Sequence, residues 1–380
     1  MKNSNSAGLS IGVALLPIIF LVLLLSINVF IYGDDSLNGT NQFILILSGL
    51  FGASIGFIYK VSYKKILTSI SNSVKSVTGA LLILLFVGAL AGTWMISGII
   101  PAMVYYGLKI LDPNIFLPAC IIICSIISVA TGSSWTTSAT VGIALVGIGK
   151  ALGIPAGMVG GAVIAGAYFG DKLSPLSDTT NLAAAVTKVD LFKHIKYLTY
   201  TTIPSISITL IVFIILGFLQ VSDGTTDNTY LLNAISEKFN ISLALFLVPL
   251  LVLIMIVKKT PPLIALVIGT LVGALFSLIF QPQIISELSG VTNSSLIDSY
   301  IVIMNTITGE INIETNNEIL NDLFSTGGML GMMNTIFLVI GTMVFGGVMD
   351  AIGALKTISK ALLKWADNTF KLFASTVASC

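Results

Sequence analysis

The chain contains no arginine: all 18 of its basic residues are lysine. Arginine's planar fork is the usual clamp for carboxylate and phosphate groups, so a substrate held by bidentate guanidinium contacts is excluded. Charge of either sign is scarce. Only 9% of the 380 residues are charged, against about 25% in an ordinary soluble domain, too few to cover a water-facing surface. There is one histidine, and the three cysteines (Cys120, Cys124, Cys380) stand in apolar runs at no metal-ligand spacing. Neither a disulfide framework nor a transition-metal site is implied. What the chain has instead is 55% hydrophobic residues and a mean hydropathy of +1.01. Those values exclude a cytosolic enzyme, a disordered chain and a nucleic-acid binder. They call for an all-α polytopic membrane protein.

A bilayer core about 30 Å thick takes about 20 apolar residues as a helix. Apolar runs lie at 8–32, 42–59, 77–111, 115–149, 155–187, 198–220, 242–257, 262–280 and 328–349, and another begins near 372, about ten membrane segments in all. The first run lacks the small-residue cleavage site of a signal peptide. Lysines collect in cytoplasmic loops. Lys60, Lys64, Lys65 and Lys75 follow the second run, Lys188, Lys193 and Lys196 precede the sixth, Lys258 and Lys259 follow the seventh, and Lys356, Lys360, Lys364 and Lys371 follow the ninth. All of them are cytoplasmic if the N-terminus is cytoplasmic and each run crosses once, 155–187 excepted. The stretch 281–326 then lies outside, with six acids (Glu287, Asp298, Glu310, Glu314, Glu318, Asp322) and no lysine. Parity requires 155–187 to begin and end on the cytoplasmic side, as a re-entrant hairpin or two half-spans. Irregular backbone at membrane depth survives only where protein or a water-filled cavity satisfies it, so this interruption is a place to look for function.

Two polar constellations interrupt the apolar runs. Seven of the ten residues from Thr131 to Thr140 carry hydroxyls, and Ser and Thr compete for backbone hydrogen bonds, so the segment favours unwinding. Unwound backbone offers carbonyl and hydroxyl oxygens, the ligands a hard cation accepts. The plain alternative is that small hydroxyl residues let helices pack closely, a reading that suits one or two such residues better than seven. The second constellation is Gly170-Asp171-Lys172-Leu173-Ser174-Pro175-Leu176-Ser177-Asp178-Thr179-Thr180-Asn181. Ser174 as N-cap with Pro175 at the first helical position makes a good helix start. Asp171 and Asp178 then flank the break. Carboxylates at membrane depth are costly unless they hold a cation, a proton or Lys172. A group that holds Na+ or H+ but not both is the minimal machinery of exchange. The plain alternative is a solvated cytoplasmic loop.

Lesser features are Gly92-Thr93-Trp94 with Gly98-Ile99-Ile100-Pro101, which should kink the third run, and Asp350, either a ligand or an interfacial charge. Asn334 reads as helix packing, His194 as a solvated loop histidine, and 353–371 as an amphipathic surface helix. Ala91–Ile100 aligns weakly with Ile340–Met349 at an offset of 249 residues, suggesting an inverted-topology repeat. The halves would be about 1–200 and about 201–380 of a single transporter domain. The repeat predicts a second hydroxyl-rich break near residue 380, where the sequence stops within an apolar run; a second repeat cut short at the C-terminus is the expectation.

Gly92-Thr93-Trp94, Thr131-Gly132-Ser133-Ser134-Trp135-Thr136-Thr137, and above all Gly166-Ala167-Tyr168-Phe169-Gly170-Asp171-Lys172-Leu173-Ser174-Pro175-Leu176-Ser177-Asp178-Thr179-Thr180-Asn181 resemble the NhaC-type Na+/H+ antiporter family. The resemblance covers most of residues 8–380 and is strongest from 77 to 200. It implies secondary active exchange of Na+ for H+ in a cytoplasmic membrane. Related members exchange organic acids such as malate and lactate, and family members generally continue past this chain's end.

Three readings follow. In the first, Asp171 and Asp178 are the exchangeable carboxylates and Ser133, Ser134, Thr136, Thr137, Ser174, Thr179 and Asn181 supply oxygen ligands for Na+, with alternating access about the breaks. In the second, the same fold exchanges a malate- or lactate-type acid, recognised by Lys172, Lys109, Lys150 or half-helix N-termini; the lack of arginine weighs against it. The third is an intramembrane aspartyl protease, disfavoured because Phe169-Gly170-Asp171 lacks a glycine two places before Gly170 and both aspartates fall in one loop. Na+, protons and the bilayer are the expected partners, with no cofactor, no nucleic acid and no enzymatic activity.

Overall fold

The computed structural model describes residues 9–110, 112–175, 177–187, 189–220, 228–258, 260–291, 295–315, 320–321, 324–365, 368, 371 and 374. Almost all of them are helical, as the bilayer demands, because a helix satisfies its own backbone groups where water cannot. Helix α1 spans Ile11–Tyr32, α2 Thr40–Ile58, α3 Tyr63–Ile96 and α4 Ile99–Ile110. Helix α5 spans Pro113–Thr131, α6 is the single turn Ser134–Thr137, and α7 spans Ile143–Ala151. Then come α8 Ala156–Leu173, α9 Asp178–Thr187, α10 Leu191–Gln220 and α11 Asn228–Lys238. They are followed by α12 Leu247–Val257, α13 Pro262–Phe280, α14 Pro282–Ser289 and α15 Leu296–Thr308. Last are α16 Met333–Ala351 and α17 Ala354–Trp365. The strands Ile311–Asn312 and Ser325–Thr326 form one small antiparallel pair.

Among the described residues seven helices are long and apolar enough to cross a bilayer, or eight when Thr229–Lys238 and Leu243–Ile256, bent by 85°, count as one span. The chain is an all-α polytopic membrane protein. The remaining apolar runs are shorter helices separated by breaks, and the run expected near 372 lies almost wholly outside the described residues. The third run does more than kink. It breaks at Gly98, whose φ of 79° is a left-handed conformation that only glycine adopts without strain. Its counterpart in the repeat, Gly347, is an ordinary helical residue within α16.

The chain folds as two compact units, Met1–Leu82 with Met332–Cys380, and Ile83–Gly331. In lipid the hydrophobic effect does not drive helix onto helix; close packing at small residues does. In the first unit α2 packs along α16. A Cβ on Gly341 would lie 3.2 Å from the Gln42 carbonyl oxygen, and one on Gly347 would lie 2.6 Å from Ile70 Cα. Gln42 Nε2 donates to the Asn334 carbonyl at 3.0 Å and Asn334 Nδ2 to Asn38 Oδ1 at 3.4 Å, so Asn334 serves packing. The second unit is built around Leu90, Trp94, Phe116, Leu117, Ile121 and Phe324, all buried. Trp94 Nε1 donates to the Gly269 carbonyl at 3.2 Å, where Gly269 and Gly273 of α13 leave space for Leu90, Thr93 and Trp94.

Candidate functional site

Both polar constellations belong to the second unit, and each breaks a helix. Helix α5 begins at the Asp112 N-cap with Pro113 in its first turn and ends at Gly132, left-handed at φ 69°, whose N–H donates to the Ser128 carbonyl. After α6 the backbone loosens into a π-helical turn, Ser138–Gly142, an irregularity that recurs at functional sites. The second break lies between α8 and α9. Here the structure corrects the expected helix start. Ser177, not Ser174, caps α9: its Oγ accepts the Thr180 N–H at 3.3 Å and its carbonyl accepts the Asn181 N–H at 3.0 Å. Ser174 is instead fully buried, donating its hydroxyl to the Val129 carbonyl at 2.8 Å. That bond satisfies a carbonyl at the end of α5, which a cap at Ser174 would have left to other partners.

What brings the two breaks together is a glycine pair one helical turn apart, Gly166 and Gly170, on the face of α8 that meets α5. A Cβ on Gly166 would collide with the Ile121 carbonyl oxygen. One on Gly170 would lie 2.5 Å from the Ser125 carbonyl oxygen, 2.6 Å from Ser128 Cβ and 2.7 Å from the Val129 nitrogen. The helices therefore touch backbone to backbone, the geometry of a Gly-x-x-x-Gly contact. Ser128 Oγ fastens the crossing by donating to the Ala167 carbonyl at 2.6 Å. Asp171 follows Gly170 directly and is carried to the end of α5. There Ser134 Oγ, the first residue of α6, donates to Asp171 Oδ2 at 3.0 Å. This bond joins one break to the other. Thr180 Oγ1 donates to the carbonyls of Asp171 and Lys172, each at 3.3 Å, and ties α9 to the end of α8.

A cavity of about 700 Å³ opens over this junction. Its polar wall includes Ser133, Asp171, Ser177, Thr179, Asn181 and Thr260, and its apolar wall includes Ile83, Trp135, Ile256 and Pro262. Among the described residues Asp171 is the only charged side chain in that lining. Lys172 is exposed and lies outside it. Oxygen is plentiful in the lining and, among the described residues, no cationic group stands in it, an arrangement that suits a hard cation or a proton.

Of the residues named from sequence, Ser133, Asp171, Thr179 and Asn181 line the cavity. Ser134 stands one hydrogen bond behind it. Thr137 is buried, donating to the Ser133 carbonyl at 2.9 Å, and Ser174 faces α5. Asn181 Nδ2 donates to the Pro175 and Ser177 carbonyls, both at 2.8 Å, and so braces the loop that lines the cavity. The side chains of Asp178 and Thr136 lie outside the described residues; Asp178 is the first residue of α9. Sequence reasoning missed the close-contact role of Gly166 and Gly170, although their spacing was the signal, and missed Ser128, Ser177 and Thr260.

The sequence model of the Na+/H+ antiporter family matches residues 166–380, more than half of the chain, and takes in Asp171 and the second break. The malate-2H(+)/Na(+)-lactate antiporter of Bacillus subtilis is 36% identical over 361 residues, 94% of this chain and 73% of that protein. The Na(+)/H(+) antiporter NhaC of Alkalihalophilus pseudofirmus is 36% identical over 335 residues, 88% of this chain and 70% of its own. The arginine/ornithine antiporter ArcD of Halobacterium salinarum is 33% identical over 365 residues, 94% and 71% of the two chains. No solved structure matches. With identity of this order running across both breaks, the chain belongs to the Na+/H+ antiporter family, a family of transporters and not of enzymes.

Proposed function

We propose that this protein exchanges Na+ for H+ across the cytoplasmic membrane by alternating access, with Asp171 as the exchangeable carboxylate. One observation carries the reading: a cavity reached by both helix breaks whose only charged lining group, among the described residues, is Asp171. A carboxylate that binds Na+ must release its proton, and one that takes a proton loses the charge that holds Na+. Occupancy by one ion excludes the other, which is the coupling that antiport needs. Ser133, Ser177 and Thr179 stand in the lining to complete an oxygen shell, Ser134 orients Asp171, and Asp178 at the start of α9 is the second carboxylate of the pair. Within this reading each broken helix counts separately, giving about ten membrane segments. The 155–187 stretch is re-entrant, the N-terminus is cytoplasmic, and the halves about 1–200 and 201–380 are inverted repeats of one transporter domain.

A second reading, exchange of an organic acid, draws on the relative named for malate and lactate and on a cavity of about 700 Å³, roomier than a bare ion needs. Among the described residues that lining holds no cationic group, which disfavours it. Proteoliposomes separate the two. A Na+ jump should move internal pH with no organic anion present; a response that appears only when malate or lactate is added would replace the first reading with the second.

A further inference from the structure

We propose that the lysine-rich end of the first unit is a docking surface for anionic phospholipid headgroups. Helix α2 stops at Ile58 and α3 starts at Tyr63, so the turn between them marks one end of that unit. Helix α16 finishes at the same end. Ser69 Oγ donates to Asp350 Oδ2 at 2.7 Å, and a Cβ on Gly56 would lie 2.7 Å from Ile352 Cγ2. Helix α17 leaves from there and packs against α1, with Ala354 buried and Ile358 turned into the same cluster. Its Lys356, Lys360 and Lys364, one helical turn apart, are exposed, as are Lys60, Lys64 and Lys65. Residues 56–72 and 350–365 together hold six lysines and one acid, Asp350. Among the described residues none of the six lysines makes an ion pair.

A cavity of about 480 Å³ lies within this surface, lined by Ser62, Lys64, Lys65, Thr68, Ser69, Asn72 and Asp350, where the Asp350 carboxylate accepts from the Ser69 hydroxyl and is outnumbered by the two lysines. Two ammonium groups beside hydroxyls and an amide are donors suited to phosphate oxygens. Depth decides the source of the phosphate. Three helices long and apolar enough to cross a bilayer, α2, α3 and α16, end or begin at this surface, which sets it at the level of the headgroups. Basic clusters at that depth are attracted to anionic leaflets. Lys60 adds a sign of retained charge: among the described residues it is the only non-glycine residue with positive φ, at 62°. Glycine would adopt that turn without strain but would forfeit an ammonium group.

Native mass spectrometry of the full chain in neutral detergent, with added phosphatidylglycerol or phosphatidylcholine, tests the assignment. Phosphatidylglycerol should be retained in preference. Each lysine removed should weaken its retention about fivefold, so K64Q/K65Q at the cavity and K356Q/K360Q on α17 should each weaken it about 25-fold. The control pair K109Q/K238Q, lysines of the second unit already engaged by Tyr105 and Glu287, should leave retention unchanged. Equal retention of phosphatidylcholine, wild-type retention in both pairs, or an equal loss in the control pair would each overturn the proposal. So would displacement of the lipid by glycerol 3-phosphate at matched concentration, which would mark a site for soluble anions. The result is independent of which ion the protein transports.

Discussion

Replacing Gly170 by alanine tests whether the α5–α8 crossing holds Asp171 in place. The added Cβ would lie 2.5–2.7 Å from the Ser125 carbonyl oxygen, Ser128 Cβ and the Val129 nitrogen, all of them backbone or stiff. Ordinary contact needs about 3.5–4.0 Å, so α8 must retreat from α5 by roughly 1 Å. Overpacking of this kind costs about 1–3 kcal/mol. The retreat also stretches the 3.0 Å bond from Ser134 Oγ to Asp171 Oδ2 beyond bonding range. A hydrogen bond to a charged group contributes about 1.5–3 kcal/mol, and each 1.4 kcal/mol is tenfold in an equilibrium constant. Apparent Na+ affinity should therefore fall roughly tenfold to a hundredfold. Gly160 is the control, because a Cβ there meets nothing within 4 Å and should add about 0.5–1 kcal/mol of helix preference. The assay is Na+-dependent proton movement in proteoliposomes, read with an internal pH dye, with folding checked by gel filtration. Gly170→Ala exchanging with wild-type Na+ dependence would refute the positioning role, and so would equal damage from Gly160→Ala.

Four shorter predictions follow from the same contacts. Asp171→Asn should abolish Na+-driven proton movement while the protein stays monodisperse; normal exchange in that variant would return Asp171 to an ordinary loop residue. Ser174→Ala should lower the temperature of half-inactivation, by removing a buried bond contributing about 1 kcal/mol, yet leave apparent Na+ affinity intact, whereas Ser134→Ala should weaken that affinity; the reverse pattern would make Ser174 the ligand. Gly98→Ala forces a side chain to φ 79° and onto Gln281 Nε2, which donates to the Asn240 carbonyl at 2.9 Å, and should speed thermal inactivation at a readily measured rate. The Ser295 hydroxyl and N–H hold the Asp298 carboxyl below its usual value, so the cap it forms is complete above about pH 4, the ordinary aspartate value, and is lost as pH falls through the lowered pKa. Hydrogen exchange at the first turn of α15 should accelerate over that acid range, and Ser295→Ala should remove the step.

Much of the site was legible because its signals are compositional. Hydroxyls from Thr131 to Thr140 in an apolar run mark a break wherever the chain goes, and so does Pro175 beside two aspartates. The details that failed were choices between like residues. Ser174 and Ser177 are both serines able to cap a helix, and the Ser-Pro pair favours the first. The buried Val129 carbonyl takes Ser174 away, and α9 starts three residues later at Asp178. No local pattern carries that information, since Val129 is 45 residues distant.

By itself the sequence determined that this chain lives in a bilayer, that its helices are broken at two hydroxyl-rich places, and that few carboxylates lie near those breaks. These follow from the free energy of moving each residue type into lipid, a local property. Only the tertiary structure decided that Ser134 meets Asp171 across 37 residues, that Gly166 and Gly170 set the distance between α5 and α8, and that Asp171 faces the cavity while Lys172 does not. Those are outcomes of how two backbones pack. Packing depends on shape matched across the fold, which no single stretch of sequence contains.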